Sequence, residues 1–213
     1  MTRKDIINLF VEIIEPLHPL MLVEYGDRKG RDFDIFVVFE KSPLTMAEIG
    51  PIDYTAIGRS QFEHLLSLFD IVVTEPIVTG SPTFDNNSEF ISYREKLIQQ
   101  KPTHQVINYL VKRSLEELLH AHMFIEEYEK RNESYLIRSA LYDLSFSCSY
   151  LLSARHYSKK ASSIFIFRDA LEGYPFLRRV REYISSINNG TSIEIQIIYN
   201  LINDWEKHIL SID

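Results

Sequence analysis

The sequence predicts an α+β chain: a small mixed-sheet domain over residues 1–100, followed by an all-α antiparallel helical bundle over residues 101–213. Three observations carry this prediction. Short β-branched and aromatic runs alternate with Gly and Pro punctuation as far as residue 80, where five of the seven glycines lie. From Gln105 to Lys130 no Gly or Pro interrupts a helical pattern, and further helical segments follow over 133–156, 162–171, 175–187 and 192–210. Charge divides at the same place. Residues 1–100 carry 9 Lys and Arg against 16 Asp and Glu, whereas residues 101–213 carry 14 of each, so the net charge of −7 belongs to the first part.

Within the first part, Ile6, Ile7, Leu9, Phe10, Ile13 and Ile14 recur at helical spacing, which predicts a helix over 3–15 ended by Pro16. Leu20 to Tyr25 reads as a strand, Gly26 to Arg31 as a polar turn and Asp32 to Phe39 as a second strand rich in Ile, Val and Phe. Ile52 to Ile57 is a third strand. A helix over Ser60 to Phe69 places Phe62, Leu65, Leu66 and Phe69 on one face. Ile71 to Val78 reads as a fourth strand, interrupted by Pro76 and so suited to a sheet edge. Gly80 to Glu89 has loop composition, and a polar helix from Phe90 to Gln100 ends before Pro102.

Composition excludes several classes. Apolar residues at 45% and charged residues at 25% are globular values, which argues against wholesale disorder. The longest apolar run, Ile35 to Phe39, is far below the roughly 18 residues that cross a bilayer, so no membrane partner is expected. The opening Met1-Thr2-Arg3-Lys4-Asp5 lacks a signal-peptide pattern, and a cytoplasmic location is expected. Cys148 is the single cysteine, which rules out an intrachain disulfide. The acidic first part lacks the Lys and Arg surplus that phosphate contacts require of a stand-alone nucleic-acid binder.

Chemistry concentrates in Gly26 to Phe39, GDRKGRDFDIFVVF. Residues two apart in a strand share a face, so Asp32 and Asp34 project side by side. Two carboxylates held together call for a cation, and oxygen-only ligands suit Mg²⁺ with substrate phosphates completing its shell. Asp53, between Ile52 and Tyr54 on the next strand, is the third acid, as ligand to a second ion or as base for an attacking hydroxyl. Gly26 and Gly30 let backbone approach a triphosphate, and Arg28, Lys29 or Arg31 can neutralise it. Asp70 and Glu75 are rivals for the third acid, read respectively as a helix-end or turn residue and a loop residue.

The order of strand, Gly turn, Asp32-Phe33-Asp34 strand, Ile52-Asp53-Tyr54 strand and TEPIVTG resembles the minimal nucleotidyltransferase family of the DNA polymerase β superfamily over about residues 18–80. The resemblance implies a phosphate-loop glycine at Gly26, metal ligands at Asp32 and Asp34, a third carboxylate at Asp53, and Asp27 at the nucleotide where the family carries Ser. It implies transfer of a nucleoside monophosphate from a nucleoside triphosphate to an acceptor hydroxyl, with Mg²⁺ and release of pyrophosphate. The acceptor, a small molecule, an RNA end or a protein side chain, is expected between the two parts.

The second part resembles the HEPN (higher eukaryotes and prokaryotes nucleotide-binding) bundle in helix content and in LLSARHYSKKASSIFIFRDALE. Between Arg155 and Arg181 seven basic residues face only Asp169 and Glu172, which makes Arg155, Lys159 and Lys160 candidates for gripping an anionic acceptor, with a solvated helix face as the alternative. HEPN ribonucleases pair Arg with a following His. Arg113 and His120 have that order, but their rise of about 10 Å along a helix reads better as an exposed pair. A ribonuclease bundle, or a catalytically inactive binding module, is the alternative function; an apolar bundle face could support a homodimer.

Overall fold

The structure, a computed structural model, describes residues 2–26, 33–159 and 163–210. The chain divides into two compact units, Met1–Lys101 and Pro102–Asp213. Among the described residues no helix is long and apolar enough to cross a membrane.

In the first unit, α1 (Arg3–Ile14) opens with a capping box: the Asp5 N–H donates to Thr2 Oγ1 at 3.3 Å and the Thr2 N–H donates to Asp5 Oδ2 at 2.7 Å. Pro16 closes it through a 3₁₀ turn. The strands are β1 (Met21–Tyr25), β2 (Phe33–Phe39), β3 (Thr45–Ile49), β4 (Ile52–Gly58) and β5 (Ser81–Asp85), in the sheet order β3-β4-β2-β1-β5. Among the described residues the strand pairings are antiparallel except that of β2 and β4, which pair in parallel. Between them residues 40–51 run out to the edge as β3 and return through a turn at Gly50, whose φ of +60° suits a residue without Cβ.

The sheet is covered on both faces, which explains the apolar run in β2. Ile35, Phe36, Val37 and Val38 are all buried. Phe33, Ile35 and Val37, with Leu22 and Ile52, pack against Ile7, Phe10 and Ile14 of α1. On the opposite face Phe36 meets Phe62 of α2 (Arg59–Ser67), and Phe62 meets Tyr93 of α4 (Glu89–Gln99) edge-on at 4.9 Å. Arg59 pairs with Glu89 at 3.1 Å and Tyr93 donates to Glu63 at 2.7 Å, tying α2 to α4.

Two sequence expectations fail here. Ile71 to Val78 is not a strand but the helix α3 (Ile71–Thr79). Its β-branched residues favour a strand, but the Asp70 side chain accepts the Val72 N–H at 2.9 Å and caps a helix. That helix buries Ile71, Val73, Thr74, Pro76 and Ile77, so tertiary burial outweighs local propensity. The expected loop Gly80 to Glu89 instead contains β5, an edge strand pairing with β1 across a register shift beside Pro82, which has no N–H to offer a ladder. Asp85 then accepts the Glu89 and Phe90 N–H groups, each at 3.0 Å, and starts α4. No sequence pattern marks β3: Thr45–Ile49 is mostly exposed and has no apolar alternation.

The second unit is helical: α5 (His104–Arg131), α6 (Ser134–Ser158), α7 (Phe167–Gly173), α8 (Pro175–Asn188) and α9 (Ile195–Leu210). A two-residue link at Asn132, left-handed with φ of 52°, turns α5 back on α6. Leu118 and Ile125 of α5, Leu141, Leu144 and Cys148 of α6, Val180 and Ile184 of α8, and Leu201 and Trp205 of α9 form its core. Trp205 is fully buried, and its indole N–H donates to Ser147 Oγ at 2.9 Å; Ser114 Oγ–H donates to the Ser147 carbonyl at 2.8 Å. Replacing Ser147 by Ala strands a buried indole N–H. The expected loss is about 1–3 kcal/mol, read by denaturant unfolding followed through Trp205 fluorescence, and an unchanged midpoint contradicts this account of the core.

Candidate functional site

The parallel register sets Asp34 beside Asp53. The antiparallel ladders extend the same row to Tyr25 on β1 and Glu48 on β3, so residues from four strands share one face at one end of the sheet. Neighbouring strands lie ~4.8 Å apart. Carboxylates carried on the same face of adjacent strands repel when both are ionised, a cost that a bound cation relieves.

Gly26 follows β1 with φ of +77°, and a Cβ placed there would fall on the Asp34 carboxylate. Only glycine lets this turn pass the acid. The Tyr25 phenol is held well above its ordinary range, first by burial and then by the Asp34 charge, with Glu75 and Asp53 adding to it and a hydrogen bond to Thr55 opposing. Tyr25 is therefore a neutral phenol beside the acids. Glu75 is not in a loop: it lies on α3 and reaches this cluster electrostatically. Asp70 is the buried cap of α3 and has no place in the row. Asp34, Asp53 and Glu75 are half-buried and Glu48 is exposed, and carboxylate oxygens are the donor type that Mg²⁺ takes. Asp27, Arg28, Lys29, Gly30, Arg31, Asp32 and Lys160 lie outside the described residues. Tyr25 and Glu48 carry no sequence signal because strand register, rather than local spacing, brings them into the row, and Glu75, a rival for the third acid by sequence, comes near through a helix rather than a loop.

In the helical unit Arg155 does not stand clear of the bundle; its guanidinium donates to His208 Nε2 at 2.9 Å. Lys159 is exposed at the end of α6. Arg178 pairs with Glu182, Arg179 with Asp204, and Arg181 lies over the Phe167 ring at 4.7 Å, so much of the local basic excess is spent within the bundle. Arg113 and His120 are not a simple exposed pair. Arg113 donates to Glu116 at 3.1 Å and to the buried Glu117, whose other oxygen lies 3.8 Å from His120 Nδ1. Asp143 of α6 faces the same point.

Replacing Gly26 by Ala forces Asp34 aside and holds a Cβ at positive φ, with an expected stability loss of about 1–3 kcal/mol by denaturant unfolding; no loss contradicts the turn geometry. Burial, then the Glu117 charge, pushes the Asp143 carboxyl up to about 7, with Arg113 opposing. Unfolded Asp ionises near 3.9. The folded chain therefore holds the extra proton between those values, and this contribution is full below about pH 4 and is lost as pH rises towards 7. Asp143→Asn has no charge to bury, so its melting temperature is expected to gain on the parent from pH 4 to 7 and level off above. Parallel curves contradict the assignment.

No protein-family model and no curated protein matches the chain. One solved structure that is similar, a nucleotidyltransferase-like protein from Exiguobacterium sibiricum 255-15, aligns over 96% of this chain and 73% of its own, with 13% identity and a TM-score of 0.39. The likeness is coarse, and no residue role follows from it.

Proposed function

We propose that the first unit is a nucleotidyltransferase, moving a nucleoside monophosphate from a nucleoside triphosphate to an acceptor hydroxyl. The observation that carries this reading is the β2–β4 register, which brings Asp34 and Asp53 together on one face beside a glycine turn. Asp34 and Asp53, with Asp32 preceding them in the chain, would hold Mg²⁺. When bound, that ion supplies charge neutralisation for the carboxylates and the triphosphate and stabilises the negative charge of the transition state.

The protein groups have separate tasks. Asp53 accepts the proton of the acceptor hydroxyl as its oxygen bonds to the α-phosphorus, and the bond from the α-phosphorus to the oxygen of pyrophosphate breaks. The turn at Gly26 leaves room for backbone to approach the phosphates, and the basic residues Arg28, Lys29 and Arg31 balance their charge. Tyr25, kept neutral, orders the Asp34 side of the row without adding a negative charge of its own. The acceptor class is a small molecule, an RNA end or a protein side chain.

The test offers the four α-labelled nucleoside triphosphates with Mg²⁺ and a panel of those acceptors. Asp34→Asn or Asp53→Asn is expected to lower label transfer by on the order of 10²–10³ or more, with circular dichroism unchanged. Transfer that survives both substitutions removes the site assignment. Binding of Mg²⁺ and nucleotide without transfer supports the inactive binding module instead.

A further inference from the structure

We infer that Glu117 and His120 of α5, with Asp143 of α6, form a site for a divalent transition-metal ion of the zinc type. One ligand atom from each, two carboxylate oxygens and a ring nitrogen, lies within 4.8 Å of the others. Ligands about 2.1 Å from a tetrahedral zinc stand about 3.4 Å from one another, so small side-chain rotations close the set. Glu117 and His120 are three residues apart, the spacing that places two side chains on one helix face, and Asp143 enters from the antiparallel neighbour.

The surroundings suit a metal more than an empty cluster. Arg113 donates to one oxygen of Glu117, leaving the other towards His120, which is how a ligating carboxylate is held in orientation by a hydrogen-bonding partner. Arg113 is in turn positioned over the Tyr150 ring at 5.2 Å. Among the described residues Asp143 makes no hydrogen bond or ion pair, although it is half-buried next to the buried Glu117. Two carboxylates match the charge of a divalent ion. The imidazole favours zinc over Mg²⁺, and the exposure of His120 opens the site to solvent, where water takes the fourth position.

This site lies on different elements from the sheet carboxylates and stands whether or not the first unit transfers nucleotides. Its test is calorimetric titration of the metal-stripped full chain with Zn²⁺ and, separately, Mg²⁺. Because Asp34 and Asp53 also offer oxygen, the titration is repeated in a chain carrying Asp34→Asn and Asp53→Asn. In both backgrounds one zinc equivalent is expected to lose roughly tenfold or more in affinity on His120→Ala and again on Asp143→Asn. Zinc should raise the melting temperature of the parent more than that of either variant. The nitrogen resonances of His120 should shift on zinc addition. His120 is exposed, so its removal leaves the fold intact, which circular dichroism checks. Undiminished zinc binding in His120→Ala, no zinc binding by the parent, or Mg²⁺ binding as tight as zinc at this site each overturns the inference.

Discussion

The parallel pairing of β2 with β4 is the constraint on which the first unit is built. Parallel strands need a crossover, and here twelve residues supply it by running to the sheet edge and returning as a hairpin. That path inserts β4 between β2 and β3 and fixes Asp34 opposite Asp53. Sliding β4 by one residue would turn Thr55 and Ile57 to the α1 face and Tyr54 to the opposite one, so the buried pattern itself locks the register. Packing therefore holds together two charges that repel, and the repulsion is available to be relieved by a ligand.

The two units solve the problem of charge differently. In the first, Asp34 lies beside a glycine turn and next to Asp53, Glu48 extends their row to the sheet edge, and Asp34, Glu75 and Asp53 act on a neutral tyrosine. In the second, basic side chains are largely engaged by carboxylates and rings, as with Arg179 on Asp204 and Arg181 over Phe167. A basic count along the sequence does not reveal this, because partners such as Asp204 and His208 come from α9, far along the chain. The same pairing turns Arg113 into a holder of Glu117, so the relation between Arg113 and His120 passes through a third residue that spacing alone does not single out.

Much of the architecture was legible before folding. The 3.6-residue period of Ile7, Phe10 and Ile14, and the β-branched run of β2, are local signals strong enough to survive tertiary context. Asp53 between two apolar residues was a readable sign of a strand presenting an acid to one face. Pattern and structure part company where local chemistry and burial disagree. Ile71 to Thr79 carries β-branched residues throughout, yet a capping aspartate and apolar neighbours on several sides make it a helix. Ser81 to Asp85 looks like a loop by composition and becomes a strand because β1 offers it an edge.

The sequence by itself determined the division into a mixed-sheet part and a helical part, the strand that carries Asp34 and the strand that carries Asp53, since these follow from periodicity and from the placement of Gly and Pro. The tertiary structure decided which side chains meet: Tyr25 and Glu48 in the acid row through strand register, Glu75 near it through the conversion of a strand-like segment to a helix, and Glu117, His120 and Asp143 at one point through antiparallel helix packing. The physical reason is that backbone patterns are written in neighbouring residues, whereas a site is made by contacts between residues far apart in the chain, whose alignment is fixed by burial of the core beneath them.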